Sequence, residues 1–206
     1  LYNQLLILFK VASYYLINVK YVCVLFFKYL NLQHNSRCSI LISFTVAKSS
    51  KTNVSRILDQ LIIRHQLVSY AVDESDLSAT HVAETLGENI NQVFKTLVLK
   101  GNKTGFFVCV IPGAEELDLK LAAKYSGNKN CDMIPMKELL PTTGYIRGAC
   151  SPIGMKKHFP TFIDKSCLDY GLIYVSAGQR GLQIEINPQD LIRAANAKVV
   201  DFFLEI

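Results

Sequence analysis

Residues 141–154 constrain this chain more than any other stretch. Their sequence, Pro-Thr-Thr-Gly-Tyr-Ile-Arg-Gly-Ala-Cys-Ser-Pro-Ile-Gly, puts three glycines and two prolines into fourteen positions, with three aliphatic hydroxyls among them. Gly144, Gly148 and Gly154 can take positive φ or let another backbone or a ligand approach closely. Ser151 precedes Pro152, which biases it away from helical geometry. The stretch therefore predicts a bent backbone from Pro141 onward. It serves either as an ordinary surface loop or as a cradle of N–H groups and hydroxyls around a small polar ligand. Its neighbours decide between the two.

The net charge of +5 is a poor guide to those neighbours. All 17 acidic residues lie at or after Asp59, and the first 46 residues carry only Lys10, Lys20, Lys28 and Arg37. That leaves 18 basic against 17 acidic groups for the rest, so charge alone makes no case for a nucleic-acid partner. The six cysteines form no C-x-x-C pair and do not read as a disulfide framework. The four histidines have no metal-ligand spacing, so no metal is expected. The cysteines read as small core residues in a reducing, cytoplasmic compartment.

Residues 1–46 differ in kind: apolar and basic, with no Gly, Pro, Asp or Glu. The runs Val11–Val19 and Tyr21–Phe27 are split by Lys20, and neither alone reaches the ~18–20 residues that span a bilayer. No small-residue cleavage site follows them, and Arg and Ser are too few for a mitochondrial presequence. Three readings remain: a membrane-seeking extension, a helical appendage, or translation from upstream of the true start. The missing initiator Met and the biased composition favour the last, and a membrane partner is not expected. The domain is then residues 47–206.

Along that domain, Val54, Ile57, Leu58, Leu61 and Ile62 predict a helix to about His65, with N-cap candidates in Ser49–Asn53. Leu67–Val72 reads as a short strand before the acidic turn Asp73–Asp76. Ser78 and Gly87 bracket a second helix. Gln92–Leu99 and Phe106–Ile111 read as hairpin strands around Gly101–Gly105. By pattern alone, Lys95 is an outward-pointing lysine on a half-solvated face. Leu117–Tyr125 predicts a helix ended by Gly127, and Met136–Leu140 a helical turn. Phe159–Ile163, Leu172–Ser176 and the alternating Leu182, Ile184 and Ile186 read as strands. Asn187 and Pro188 open a helix to about Ala195, and Val199–Phe203 is a last apolar segment. This mixed order is α+β.

Four pieces then stand in register: Gln92-Val93-Phe94-Lys95-Thr96-Leu97, Thr142–Gly154, Pro160-Thr161-Phe162-Ile163-Asp164 and Tyr174-Val175-Ser176-Ala177-Gly178-Gln179-Arg180-Gly181. Together they resemble the YbaK/EbsC family of aminoacyl-tRNA deacylases, in particular its Cys-tRNA(Pro) branch, from about residue 50 to 206. The resemblance implies a central mixed, mostly antiparallel and partly barrel-like sheet flanked by helices. It implies hydrolysis of the ester joining a wrong amino acid to the tRNA 3′ end, with no cofactor. Mischarged tRNA is the implied partner, with prolyl-tRNA synthetase as a second. Lys95, Ser151 and Gly148 match the family's catalytic positions, and Tyr70, Gly144, Asp164 and Arg180 are the substrate-binding candidates. Cys150 departs from the apolar residue usual before the Ser-Pro pair.

In the cysteine-specific branch the resemblance implies that the substrate's own thiol attacks its carbonyl and releases a cyclic thiolactone. The protein then supplies attack geometry and N–H donors for the developing oxyanion, from the backbone around Gly144–Ser151. Lys95 is cast as holding the anionic 3′-terminal nucleotide. Ser151 and Asp164 orient substrate hydroxyl and amino groups, and Lys100, Lys103, Lys156, Lys157 and Arg147 are candidates for tRNA phosphates. Rival readings are a covalent nucleophile at Cys150 or Ser151 with His158 as base, editing of Ala or Ser attachments, and a binding module without turnover.

Overall fold

Side-chain caps set four of the five α-helix starts in the computed structural model, which describes residues 51–203. The extension over residues 1–46 lies outside the described residues, as do Cys23, Cys38 and His34. Helix α1 (Asn53–Gln60) starts where the Thr52 side chain accepts the Ser55 N–H. It stops well before His65, because the backbone turns left-handed at Ile62 (φ 56°). Ile62 is left 91% exposed while Ile63 returns to the core, so helical spacing at Leu61 and Ile62 overstated the helix. Strand β1 (His65–Ser69) follows. Ser78 caps α2 (Ala79–Leu86) and Gly87 closes it at φ 72°, as expected.

A 3-10 turn (Ile90–Gln92) leads into β2 (Phe94–Gly101), which pairs antiparallel with β3 (Gly105–Pro112) from Phe94↔Pro112 to Gly101↔Gly105. Asp118 caps α3 (Leu119–Tyr125) with bonds from two backbone N–H groups. Strand β4 (Cys131–Met133), which the sequence pattern did not reveal, pairs with the end of β2. Helix α4 (Met136–Thr143) carries Pro141 in its last turn, so the bend begins at Gly144 and not at Pro141. Then come β5 (Thr161–Asp164), β6 (Ile173–Ser176), β7 (Leu182–Ile186), α5 (Pro188–Ala195) and β8 (Ala197–Val200).

The strands form two sheets, β1-β7-β6 and β4-β2-β3-β5-β8. Pairing is antiparallel except at β3–β5 and β5–β8. One parallel bridge, Val93 to Tyr174, joins the sheets, and they do not close into a barrel. The main core lies between them: Val98, Val108, Val110 and Ile163 from one meet Val175, Ile184 and Ile186 from the other, with Val54 and Leu58 of α1. Alternate residues of β2 and β3 (Leu99, Phe107, Cys109, Ile111) face away and pack on Ala122 and Ala123 of α3. Strand β3 is thus buried on both faces, which is why it reads as a continuous apolar run. Val82 and Ala83 of α2 cover Val93 and Tyr174 on the other side.

The main core also anchors the glycine-rich loop. Tyr145 is buried within it, and its hydroxyl donates to the Ile153 carbonyl at 2.7 Å across the loop. Tyr145→Phe leaves that carbonyl without its partner and should cost about 1–2 kcal/mol of stability. Urea unfolding followed by circular dichroism checks this, and an unchanged midpoint would contradict it.

Candidate active site

The loop begins where Gly144 ends α4 in the left-handed region (φ 85°) and its N–H bonds the Leu140 carbonyl. Thr143 turns the chain inward: its hydroxyl donates to Leu139 O at 2.7 Å and accepts the Tyr145 N–H at 3.0 Å. The Ala149 N–H then closes a turn onto Ile146 O at 3.1 Å, with Gly148 at φ 79°. At Gly154 (φ 75°) a Cβ would fall 3.0 Å from the Tyr145 hydroxyl, so glycine is needed for space as well as for conformation.

One side of this loop faces β2 across a cleft of about 480 Å³. Lys95, Arg147, Gly148 and Cys150 line it, together with Ser176 and Gln183 from the smaller sheet and the start of α2. Lys95 is half-buried, and its Nζ donates to the Gly113 carbonyl at 3.0 Å. Burial holds its pKa below the ordinary lysine value, while the charges of Glu116 and Glu115 oppose that shift. An ammonium has three donors, so two remain for a ligand. Among the described residues, the N–H groups of Gly148 and Cys150, both at the cleft, take no protein acceptor. The cleft thus combines a cation, backbone donors and apolar walls. That set suits an anionic ligand carrying a carbonyl whose oxygen gains charge.

The structure brings Lys95 and Gly148 together at this cleft and places the other candidates around it. Ser151 is fully buried, and its hydroxyl accepts the Ile153 N–H at a long 3.4 Å. Asp164 is buried with both carboxylate oxygens occupied, one by the Ser166 N–H and one by the Phe202 N–H, each at 2.9 Å. The Tyr70 N–H bonds Gly181 O at 2.9 Å, and its ring packs with the cluster under α2. Gly144 lies beneath the Lys156 stem, whose Nζ donates to Leu140 O. Arg180 binds Glu74 and the Arg147 carbonyl. None of these five lines the cleft.

Cys150 does line it, and burial pushes its thiol up to about 12, so it stays protonated near neutrality. His158 is exposed and makes no hydrogen bond among the described residues. A Cys150 or Ser151 nucleophile paired with His158 therefore has no geometric support. The described residues contain no cluster of three or more His, Cys, Asp or Glu able to hold a metal, and no helix long and apolar enough to cross a membrane.

Sequence reasoning missed Ser176 and Gln183. They are direct partners across β6 and β7, and the Gln183 carboxamide oxygen is buried without a partner among the described residues. In the pattern Leu182-Gln-Ile184-Glu-Ile186 a glutamine reads as solvent-facing, whereas α2 covers that face and leaves Gln183 only 5% exposed.

Comparison with known proteins agrees with this architecture. The profile of the aminoacyl-tRNA editing domain matches residues 74–194. A protein of Enterococcus faecalis, provisionally named the Cys-tRNA(Pro)/Cys-tRNA(Cys) deacylase EbsC, is 50% identical over 151 residues, covering 73% of this chain and 92% of that protein. The proline–tRNA ligase of Thermosipho africanus is 32% identical over 94 residues, which are 46% of this chain and 16% of the ligase. A crystal structure provisionally described as a trans-editing enzyme for prolyl tRNA synthetase shares the fold, with a TM-score of 0.61 at 24% identity over 68% of this chain and 87% of the other. On the editing-domain profile and the half-identical relative, this chain belongs to the YbaK/EbsC family of aminoacyl-tRNA editing proteins.

Proposed function

We propose that this protein is an aminoacyl-tRNA deacylase that clears Cys-tRNA(Pro) in trans. The carrying observation is the meeting, at one cleft, of a half-buried lysine and a glycine turn with unused N–H groups. The name of the Enterococcus faecalis relative supports a cysteinyl ester as substrate, and the stretch shared with a proline–tRNA ligase supports tRNA(Pro) as its carrier.

An aminoacyl ester is already activated, so placing the attacking group supplies much of the rate. Cys150 is protonated and Ser151 is fully buried and does not line the cleft, so neither is placed as a nucleophile. The substrate thiol fills that role. Its sulfur bonds to the carbonyl carbon, the carbonyl oxygen takes up negative charge, and the bond to the ribose oxygen then breaks. The thiol proton ends on the ribose hydroxyl, and a cyclic thiolactone leaves. Lys95 holds the anionic terminal nucleotide against the cleft, and backbone donors of the glycine turn receive the oxyanion.

Initial rates on Cys-tRNA(Pro) and Ala-tRNA(Pro) with the full chain test this. Loss of the cysteinyl ester alone is expected, and Lys95→Ala should slow it by roughly 10²-fold. Cys150→Ala should keep the rate within about a factor of two, whereas a covalent route through Cys150 would abolish it. Cleavage of the alanyl ester would keep the family activity and overturn the thiol route. Cleavage of neither would leave a binding module.

The pH profile follows from the same groups. The rate should rise as the substrate thiol ionises, around its usual value of about 8.5. It should fall again below the ordinary lysine value of about 10.4, because a depressed pKa means that Lys95 loses its charge at lower pH. Lys95→Arg, which stays charged, should move that alkaline limb upward. An alkaline limb unmoved by Lys95→Arg would exclude Lys95 as its source.

A further inference from the structure

One peptide group of the cleft wall is held from behind by a side chain. The turn Ile146–Ala149 has Gly148 at its third position with φ 79°, the signature of a type II turn. Its central peptide joins Arg147 to Gly148, and the carbonyl of that peptide accepts the Arg180 Nε–H at 3.0 Å. Carbonyl and N–H point in opposite directions from a trans peptide. The bond that holds Arg147 O toward Arg180 therefore turns the Gly148 N–H away from it. No described acceptor takes that N–H, and Arg147 and Gly148 line the cleft while Arg180 does not.

A glycine at this position also tolerates the flipped peptide at low cost, so the turn alone does not keep the donor in place. Arg180 supplies the missing constraint. It is itself held, since its Nη1 donates to Glu74 Oε2 at 2.8 Å from the acidic turn before α2. Its side chain is 26% exposed against 77% for Glu74, so the guanidinium is the more fixed partner. The coil carrying Glu74 also brings Leu77 against Gly148, where an added Cβ would meet it at 3.4 Å. A guanidinium on the carbonyl further polarises the peptide and strengthens its N–H as a donor.

We infer that Arg180 is a positioning residue that locks the Arg147–Gly148 peptide, so that the Gly148 N–H is presented to the cleft as an oxyanion donor. Glu74 holds the guanidinium in that role. The inference rests on the ester-cleaving reading above and gives Arg180 a task through the backbone instead of contact with substrate.

The test is steady-state deacylation of Cys-tRNA(Pro) by the full chain, with the Arg147 carbonyl ¹³C shift measured on the same variants. Arg180→Ala should lower kcat roughly 10- to 100-fold with KM within about twofold, because the lost interaction acts in the transition state. The Arg147 carbonyl should move upfield as its hydrogen bond is lost. Arg180→Lys, which keeps a cationic donor, should recover part of kcat. Should Arg180→Ala fail to fold, Arg180→Met, which keeps the stem but has no N–H donor, gives the same comparison. A loss carried by KM would make Arg180 a substrate contact and overturn the inference. So would an unchanged kcat in an active protein. A wild-type chain that leaves both the cysteinyl and the alanyl ester intact overturns the deacylase reading itself, and this inference with it.

Discussion

The Tyr145 hydroxyl, bonded to the Ile153 carbonyl, holds the cleft wall in shape. Its ring is wedged between two glycines: a Cβ on Gly178 would lie 2.9 Å from the ring, and one on Gly154 3.0 Å from the hydroxyl. Both glycines have positive φ, so the packing and the backbone conformation make the same demand. The loop from Gly144 to Gly154 closes around that phenol, and its turn at Gly148 is thereby set against β2. The apolar core between the sheets thus positions a polar surface that no regular element could offer.

On the other wall, β2 carries two lysines, and of these Lys95, next to the strand's start, lines the cleft. Partial burial of Lys95 costs solvation, which the Gly113 carbonyl and the nearby glutamates offset only in part. A lysine kept in this way is less well hydrated than a surface lysine and binds an anion more strongly. In the proposed reaction the opposing donors are backbone N–H groups; the Arg180 bond to the Arg147 carbonyl would fix the direction of one of them, so that little reorganisation is needed as charge develops. Asp164 supports the domain differently, by tying β5 to the start of the following turn and to Phe202 near the C-terminus.

Elements governed by local chemistry were legible in the sequence. Ser78 and Gly87 bracket α2, Asn187 and Pro188 open α5, and the Gly101–Gly105 turn closes the β2–β3 hairpin, because caps and turns act within a few residues. The end of α1 was not, since Ile62 keeps helical spacing while its backbone turns left-handed. Strand β4 was hidden because three residues are too few for a pattern and its pairing with β2 is tertiary. In the site, Lys95 and Gly148 were legible through their motifs. The placing of Ser151, Asp164 and Arg180 was not: Ser151 turns inward onto the Ile153 N–H, while Asp164 and Arg180 reach Phe202, Arg147 and Glu74, partners more than thirty residues away that no local pattern reveals. Gln183 was masked by alternation, which shows that a face is polar but not that a helix covers it.

The claim that the aminoacyl end sits between β2 and the glycine turn can be tested without turnover. A non-hydrolysable analogue, cysteine joined by an amide to 3′-amino-3′-deoxyadenosine 5′-phosphate, would be titrated into the labelled full chain and followed by amide shifts. The account predicts that the largest changes fall on Lys95, Gly148 and Cys150, with Gly113 following as its carbonyl shares the lysine. Changes confined to the exposed basic group Lys156–His158, or no changes at the cleft at saturating ligand, would contradict it.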